Sequence, residues 1–488
     1  MTAPLPLKVA NLPRLAGRVT VPTYERTALT PAVVHLSVGS FHRSHQAVYF
    51  DDLAQRGISR DWGVVGVGLR RGEMQDALTA QDGLYTVLER SASGDRARVV
   101  GAIRRYLFAP QMGFAVVDAL ADPRTRLVTL TVTGNGYRPT AAEIAADLAR
   151  PGEPVSAMGY LVAGLERRRA AGLPPFTVLC CDNVPGNGPM ARDAVASHAA
   201  RRDPALAAWI EEHGAFPSSM VDRITPRTED EHRALLASDF GVVDRWPVVT
   251  EPFSQWVVED QFCGERPPLD QVGVQIVGDV APWALAKTRM LNGSHCALGH
   301  LGELAGLETI DAAMADGALR AYVEGLMARE VAPLLPAVPG LDLDAYRATL
   351  LERFANPAVA DRLARLRRNG SAKMPVHVAR SIAEARARGR AHPLLTLAVA
   401  AWLQSLRGVD ERGRRLELDD PQAERLTRLA ATPGGVRMLL GDPALFGDLS
   451  GDEAFADEVE EALGAVARDG VRAAIAAALA GGPDRVAA

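Results

Sequence analysis

Short apolar segments alternate with amphipathic ones along the first part of the chain. Continuous apolar, β-branched runs predict buried strands at residues 32–38, 62–69, 84–88, 99–103, 126–132 and 176–181. Apolar residues at a helical period predict helices at residues 42–53, 141–149 and 157–171. Strands that alternate with helices in this way predict an α/β fold with a doubly wound, Rossmann-type parallel sheet.

After about residue 280 the pattern becomes helical throughout. Helical periodicity predicts helices at residues 312–331, 343–354, 374–386, 394–406 and 453–479. We therefore expect two domains: residues 1–280 form a dinucleotide-binding Rossmann-type domain and residues 281–488 a mostly α-helical substrate and catalytic domain. The short, proline-interrupted segments 216–226 and 248–260 are expected to extend the sheet at its edge.

Composition excludes several classes of partner. The 488 residues are 48% hydrophobic and 23% charged with a formal net charge of −5, which argues against a nucleic acid or an acidic membrane. The longest apolar run, residues 394–403, is shorter than the ~20 residues of a membrane span, and the first residues lack a signal-peptide core, so we expect a cytoplasmic protein. The four cysteines have no CxxC spacing, which favours reduced thiols over a zinc site or a disulfide framework.

The first two predicted strands end in residues typical of a dinucleotide site. The turn at residues 37–43 keeps only the middle glycine of the G-x-G-x-x-G pattern, Gly39, so a plain strand-to-helix turn explains it equally well. The second strand is followed by Arg70 and Arg71, with Glu73 beyond them. Arg70 is therefore a candidate cofactor-binding residue, and the choice between NAD and NADP stays open.

Polar or glycine-rich turns follow three of the strands. Gly39, Gly134 and Asn183 all stand where a predicted strand ends. Ligands of doubly wound sheets lie outside the carboxyl ends of the strands, so these three turns are expected to converge on one crevice.

The segment PWALAKTRMLNGSHCALG carries a candidate catalytic set. In a uniform α-helix Lys287, His295 and Asn292 would lie at roughly 0°, 80° and 140° around the axis, on one broad face. Of the 54 basic residues only Lys8, Lys287 and Lys373 are lysines. Arginine would serve wherever charge alone is needed, whereas a buried lysine can lose its proton and act as a base. From spacing alone, a solvated lysine and a core histidine explain the pattern equally well.

A second polar group surrounds the other internal lysine. Arg365 is followed by the glycine turn 369–372 and by Lys373. Cations at such a turn could hold hydroxyl or carboxylate oxygens of a substrate, and a solvated helix end is the alternative.

Six segments in register resemble the mannitol dehydrogenase family of polyol-specific long-chain dehydrogenases. They are GSFHRSHQAVYFDDL, WGVVGVGLR, CDNVPGNG, FPSSMVDRITPRT, EPFSQWVVEDQF and KTRMLNGSH. The segments PTYERTAL and QDGLYTVLER are most similar to the family members that interconvert D-mannitol and D-fructose.

The resemblance implies a role for each candidate residue. Lys287 would be the general base, Asn183 and Asn292 would hold the reacting oxygen, and His295 would orient the hydroxyl. The positions implied to bind the polyol chain are Asp222, Arg365 and Lys373, and those implied in the cofactor turn are Ser37, Gly39, Phe41 and Arg43. No metal is implied.

The chain departs from the family pattern at a few positions. Ser37 replaces a usual glycine, Gly134 a common glutamate, and Trp283 with Ala284 a common tyrosine and glutamate. The change at Ala284 removes an acid close to Lys287 and puts the proton route in doubt.

The expected function is oxidation of D-mannitol to D-fructose with NAD, NADP not being excluded, by a monomer or small homo-oligomer. The alternatives are a D-arabinitol dehydrogenase, a reductase of the hexuronates fructuronate or tagaturonate, and a non-catalytic dinucleotide-binding regulator.

Overall fold

A computed structural model describes residues 3–481 of the chain. It divides into two compact units, Met1–Ala281 and Pro282–Ala488. The strands are β1 (Leu5–Pro6), β2 (Val33–Leu36), β3 (Val64–Gly68), β4 (Tyr85–Glu89), β5 (Arg96–Val100), β6 (Ile103–Phe108), β7 (Leu127–Leu130), β8 (Thr177–Cys180), β9 (Ser219–Asp222), β10 (Val242–Val243), β11 (Val248–Thr250), β12 (Gln255–Glu259) and β13 (Gln275–Val277).

A five-stranded parallel sheet forms the centre of the first unit. Its order is β6-β3-β2-β7-β8, which numbers the strands 3-2-1-4-5 along the chain, as in a Rossmann fold. Every residue of β2, β3, β7 and β8 is buried, since helices cover both faces of the sheet. The strand order reverses between β2 and β7, where such folds bind dinucleotides. The predicted fold class is confirmed.

The proline-interrupted segments do not extend this sheet, so that expectation is wrong. β9 pairs antiparallel with β12, which pairs with β13, and β11 pairs with β4 in a separate three-stranded sheet with β5. β1 and β10 form a two-stranded pair. Prolines at 217, 226, 247 and 252 flank these strands and limit their length, because proline donates no backbone hydrogen bond.

The helices of the first unit connect these strands. They are α1 (Leu12–Leu15), α2 (Ser40–Ser44), α3 (Gln46–Gln55), α4 (Glu73–Ala80), α5 (Ala109–Ala121), α6 (Ala141–Ala149), α7 (Ala157–Ala170), α8 (Asn187–Ala200), α9 (Pro204–His213) and α10 (Asp230–Asp239). Short 3-10 helices are Val9–Asn11, Arg26–Ala28, Gly134–Tyr137 and Leu269–Val272. The helix expected at 42–53 is broken at His45, whose dihedral angles (φ −121°, ψ −89°) are not helical.

The second unit is a helical assembly around α12 and α19, both mostly buried. Its helices are α11 (Ala281–Ala286, beginning at the boundary), α12 (Gly293–Leu304), α13 (Ile310–Ala315), α14 (Gly317–Gly325), α15 (Leu343–Phe354), α16 (Leu363–Arg367), α17 (Gly370–Met374), α18 (Arg380–Ala387), α19 (Pro393–Ser405), α20 (Ala423–Ala430), α21 (Gly435–Leu440), α22 (Pro443–Phe446), α23 (Glu453–Asp469) and α24 (Val471–Ala480). Two 3-10 helices are Ala332–Leu334 and Gly447–Leu449.

Three π-helical turns interrupt the helices of this unit: π1 (Lys287–Asn292), π2 (Leu326–Val331) and π3 (Pro375–Ala379). π1 contacts both of the others. The helix expected at 312–331 is divided at the extended Asp316 and again by π2, and the helix expected at 374–386 is divided by π3. The helix expected at 453–479 is divided at Gly470, which has φ +83°. Glycine tolerates this left-handed backbone region, so the chain can turn there. Along residues 3–481 no helix has both the length and the apolar character needed to cross a membrane.

Candidate functional site

The turn after β2 leaves backbone accessible where the sheet order reverses. Ser37 adopts φ +73°, a conformation that glycine adopts most easily. Gly39 is extended, and a Cβ added to it would meet no atom closer than the Ser37 carbonyl at 3.9 Å. A ligand can therefore approach the backbone of this turn closely.

The buried histidine His35 is linked to this turn through a hydrogen-bonded threonine. His35 Nε2 lies 2.9 Å from Thr131 Oγ1, which donates a hydrogen bond of 2.9 Å to the Ser37 carbonyl. Since the Thr131 proton is used there, Nε2–H must donate to Thr131, while Nδ1 accepts from Thr129 at 2.7 Å. Burial lowers the pKa of His35 to about 3, so the ring is neutral and this tautomer persists. His35 and Thr131 are distant in sequence, and the fold brings them together so that they stabilise the positive-φ conformation of Ser37.

Phe41 and Arg43 follow in the same turn and make different contacts. The Phe41 ring stacks on His45 with centroids 4.9 Å apart. Arg43 is 1% exposed; its guanidinium donates to the Trp246 carbonyl and lies over the Tyr85 ring at 5.3 Å. The charged group of Arg43 is therefore engaged in packing, and its contact with a cofactor stays a prediction. Arg70, after β3, is exposed.

Two polar side chains, the half-buried Asp182 and the buried Asn187, shape the loop that carries Asn183. The Asp182 carboxylate accepts hydrogen bonds from the backbone amides of Val132 and Thr133, both 3.0 Å, and so ties the loops after β7 and β8 together. Asn187 donates to the Ser219 carbonyl at 2.7 Å and accepts from the Ser219 amide at 3.0 Å. Asn183 is exposed between these anchors.

Asp222 ends β9 and is 5% exposed. The adjacent Arg223 donates to the Ser44 carbonyl at 2.5 Å and pairs with Glu89 at 2.5 Å, so the end of β9 is bound to the end of α2. Within the first unit, the structure thus ties the end of the strand that carries Asp222 to the helix that follows the cofactor turn.

In the second unit the candidate base begins a π-turn, so the angles expected for a uniform α-helix are wrong. The Gly293 amide donates to the Thr288 carbonyl, five residues back, in place of the four-residue spacing of an α-helix. The extra residue makes positions five apart neighbours along the axis. Lys287 and Asn292 are such a pair.

Burial distinguishes the members of the proposed set. Lys287 is 6% exposed, and Asn292 and His295 are half-buried. The His295 ring packs on Phe354 with centroids 4.4 Å apart and planes inclined by 36°. Phe354 belongs to the hydrophobic core and is 0% exposed, so it limits the orientations open to the histidine.

His377, in π3, is a residue that the sequence did not single out. Its pKa is lowered to about 4, first by burial and then by the charges of Lys373 and Lys287. A Cβ on Gly293 would lie 3.1 Å from the His377 carbonyl, so the backbones of π1 and π3 approach closely because residue 293 is glycine. The positive charges of Lys373 and Lys287 therefore both disfavour protonation of the His377 ring.

Arg365 and Lys373 are also close enough to influence each other. Burial is the main cause that lowers the pKa of Lys373, and Arg365 lowers it further. The Lys373 ammonium donates to the Leu366 carbonyl at 2.8 Å. The Nε and Nη2 groups of Arg365 donate hydrogen bonds to the two carboxylate oxygens of Asp361, whose side chain is 3% exposed. This pairing fixes the orientation of Arg365 and raises its pKa.

Comparison with known proteins identifies the family. Residues 31–271 match the Mannitol dehydrogenase Rossmann domain and residues 279–467 match the Mannitol dehydrogenase C-terminal domain. The chain belongs to the mannitol dehydrogenase family. The resemblance noted in the sequence is confirmed.

Several relatives are similar over nearly the whole chain. The mannitol 2-dehydrogenase of Phaeosphaeria nodorum is 46% identical over 97% of this chain and 86% of its own length. The mannitol 2-dehydrogenase of Aspergillus fumigatus is 45% identical over 96% of this chain and 98% of its own.

Two solved structures share the fold. One is the Pseudomonas fluorescens mannitol 2-dehydrogenase in a ternary complex with NAD and D-mannitol, which is 39% identical with a TM-score of 0.87 over 98% of this chain and 100% of that one. The other is a D-sorbitol dehydrogenase in substrate-free form, 36% identical with a TM-score of 0.90 over 96% of this chain and 100% of that one.

Two departures from the family pattern have visible surroundings. Ser37 stands in the positive-φ conformation that suits the glycine usual there. Ala284, where glutamate is common, is half-buried in α11 and precedes Lys287 by three residues, so it lies on the same side of the helix. The residues at 283 and 284 therefore offer Lys287 no carboxylate.

The described residues offer no grouping suited to a metal. Among residues 3–481, no set of three or more histidine, cysteine, aspartate and glutamate side chains is placed to hold an ion. Cys180, Cys181, Cys263 and Cys296 are all free thiols.

Proposed function

We propose that this protein interconverts D-mannitol and D-fructose with NAD as the hydride carrier. The observation that carries the proposal is the scarce, buried Lys287, which begins the π-turn that ends at Asn292, in a chain of this family. The relatives named above are mannitol 2-dehydrogenases, and the similar solved structure is a complex with NAD and D-mannitol. The expected function therefore becomes our conclusion.

The first unit has the features that a dinucleotide requires. The 3-2-1-4-5 strand order provides the reversal point, and the open backbone at Gly39 allows the pyrophosphate to approach. Ser37 and Phe41 belong to the same turn. A dinucleotide held by this turn would supply the hydride acceptor for oxidation of the polyol and, in its reduced form, the hydride donor for reduction of the ketose.

The protein supplies proton transfer and charge stabilisation. Neutral Lys287 accepts the proton of the reacting hydroxyl, which leaves negative charge on the carbinol oxygen as the carbon is oxidised. The amide groups of Asn183 and Asn292 donate to the developing alkoxide, a contribution worth roughly 3–4 kcal/mol per donor in comparable sites. His295, held against Phe354, orients the hydroxyl.

The remaining polar residues bind the polyol chain. Asp222 accepts hydrogen bonds from hydroxyl groups, whereas Arg365 and Lys373 donate to them. Because Asp361 orients the Arg365 guanidinium, its outer face is presented in a fixed direction.

D-Sorbitol is a second candidate substrate. The D-sorbitol dehydrogenase structure superposes with a TM-score of 0.90, and the two hexitols differ only in the configuration of one carbinol carbon. A pocket that distinguishes them must place hydroxyl partners at that carbon. We favour D-mannitol because the relatives that are about 45% identical are mannitol 2-dehydrogenases.

Initial rates with a panel of polyols and uronates test the proposal. The panel contains D-mannitol, D-sorbitol and D-arabinitol with NAD, and D-fructose, fructuronate and tagaturonate with NADH. We expect the highest kcat/KM for the mannitol and fructose pair. A higher value for D-sorbitol, D-arabinitol or a uronate would replace that substrate assignment, and NADH binding without turnover of any compound would favour the non-catalytic regulator. The proposal includes a cytoplasmic location and a monomer or small homo-oligomer, which fractionation and light scattering test.

A further inference from the structure

Asn183, a proposed donor to the reacting oxygen, directly follows a carboxylate that accepts three hydrogen bonds. The oxygens of Asp182 accept from the backbone amides of Val132 and Thr133, both at 3.0 Å. The Tyr137 hydroxyl donates to one of the same oxygens, Oδ2, at 2.7 Å. All three donors belong to the segment after β7, whereas the carboxylate follows β8. The residue before Asn183 is therefore fixed from the end of the neighbouring strand.

Thr133 adopts an unfavourable backbone conformation at this anchor. Its φ of +65° and ψ of 163° lie in a region that is essentially restricted to glycine, although threonine is β-branched. Such a residue persists only where its surroundings fix it. Here the Thr133 amide donates to Asp182, and the Thr133 carbonyl accepts from the Gly136 amide at 2.9 Å. The carboxylate thus stabilises a strained segment beside the Asn183 loop.

Tyr137 is built into the interior of this arrangement. It is 3% exposed and ends a short 3-10 helix. A Cβ added to Gly136 would lie 2.7 Å from the Val132 side chain, so the turn that carries the tyrosine is closely packed. Burial first, and then the Cys180 thiol and the Asp182 carboxylate, raise the pKa of Tyr137. The phenol therefore keeps its proton and remains a hydrogen-bond donor.

The Asp182 carboxylate needs this donor to accept from both amides. Burial raises the pKa of Asp182, whereas the hydrogen bond from Tyr137 and then those from the two amides lower it. An ionised carboxylate accepts at both oxygens, but a protonated one carries a donor on one of them. Loss of the tyrosine hydroxyl therefore favours a form of Asp182 that holds the segment after β7 less well.

We propose that Tyr137 and Asp182 are positioning residues for the reaction, which fix the loop that presents the Asn183 amide to the developing alkoxide. A donor to an oxyanion acts only where its N–H points to the place at which charge develops, so a small displacement of the loop slows the reaction. Neither positioning residue is assigned a contact with the polyol or the cofactor. The inference rests on the proposed function, in which Asn183 is such a donor.

Steady-state kinetics of Tyr137→Phe and Asp182→Asn test the proposal, because each replacement removes one polar contact or charge and keeps the rest of the side chain. The substrate is the compound of the polyol and uronate panel that the unmodified protein turns over fastest. Each variant should lower kcat about ten-fold, while KM and the Kd of NADH change less than about two-fold. The double variant should lower kcat little further, since Tyr137 acts through Asp182.

Tyr160→Phe is the matched control. Tyr160 is also buried in the first unit, and its hydroxyl donates only a 3.4 Å hydrogen bond to the Ala109 carbonyl. The replacement is the same as at Tyr137, but it does not touch Asp182. It should leave kcat, KM and the Kd of NADH unchanged.

Hydrogen exchange followed by mass spectrometry gives a measurement that needs no turnover. Tyr137→Phe and Asp182→Asn should speed amide exchange in the segments 132–137 and 181–187, and Tyr160→Phe should not. Unchanged exchange would overturn the inference, and so would faster exchange with kcat within about two-fold of the unmodified value. A loss of about a hundred-fold in the double variant would also overturn it, because the two residues would then act independently.

The unmodified protein separates this inference from the proposed function. Turnover by the unmodified protein together with unchanged variants would remove the inference and leave the function. Absence of turnover with every compound of the panel would remove the function, and amide exchange would still report whether Tyr137 and Asp182 fix the Asn183 loop.

Discussion

Replacement of Lys287 by arginine should abolish polyol oxidation while leaving the fold intact. Arginine keeps the positive charge and a similar length, but its guanidinium stays protonated and cannot accept the proton of the substrate hydroxyl. Lys287 is 6% exposed, so bulk water has little access to replace it as a base.

The expected loss follows from the role assigned to the amine. A positioned general base contributes about 10²–10⁴-fold, which corresponds to roughly 3–5 kcal/mol of the activation barrier. Arginine is also the larger residue, and overpacking a filled site costs typically about 1–3 kcal/mol of stability. The free energy of unfolding should therefore fall far less than activity.

Initial rates of D-mannitol oxidation should be measured for the unmodified protein, Lys287→Arg and Lys287→Met as a function of pH. Neither variant should oxidise D-mannitol at a measurable rate at any pH at which the unmodified protein is active. Lys8→Arg is a matched control, because it makes the same replacement at an exposed lysine and should keep full activity. NADH binding should persist in all variants. If Lys287→Arg retained more than about a tenth of kcat, the assignment of the base would be refuted.

Four further predictions concern the supporting residues. Asn187→Ala should lower the free energy of unfolding by about 2–3 kcal/mol in urea titrations, because it leaves the buried Ser219 backbone without partners. Asp361→Asn should raise the KM for the polyol about three- to ten-fold with little change in NADH binding, because Arg365 loses its charged clamp. The Glu330 carboxyl accepts hydrogen bonds from the first amides of α19, and burial raises its pKa from 4.5 to about 7. Because the folded state therefore holds this proton more tightly than the unfolded chain, the free energy of unfolding should fall by about 3 kcal/mol as pH rises from about 5 to about 8. Glu330→Gln should remove this fall, as measured by urea unfolding at the two pH values. Incubation with a chelator should leave the rate of polyol oxidation unchanged.

Each of these has a control or a contrary result. Asn11→Ala removes one exposed hydrogen bond and should cost less than about 1 kcal/mol. Asp344→Asn breaks an exposed pair with Arg347 and should leave KM unchanged. Parallel pH curves for Glu330→Gln and the unmodified protein would show that this carboxyl does not titrate in that range. Activity lost to a chelator and restored by zinc would contradict the metal-free mechanism.

The pattern of apolar residues predicted four of the five strands of the parallel sheet because each of these four is a continuous buried run, such as Val33–Leu36 and Leu127–Leu130. It did not predict the edge strand β6, in which Arg104, Arg105 and Tyr106 are only partly buried or exposed. Single-residue composition also pointed to Lys287, since arginine replaces lysine nearly everywhere else. The anchors of the site were not predicted. Asp182 and Asn187 stood in a motif that was noted, but their partners come from other loops, and only the fold brings those together. A polar residue directly after a buried strand is the signal that could have identified Asp182.

The π-turn at Lys287 shows why local patterns could not give the geometry of the catalytic half. Nothing between Lys287 and Asn292 departs from ordinary helix-forming sequence, so a uniform α-helix was the natural expectation. The turn is instead packed against two other π-turns, and Gly293 meets the His377 carbonyl from a helix more than eighty residues away in the chain. In a π-turn, residues five positions apart, such as Lys287 and Asn292, lie closer to one axial row than they would in a uniform α-helix. The packing of the helical unit therefore determines where the proposed base lies, whereas the amine of Lys287 alone determines its acid–base chemistry.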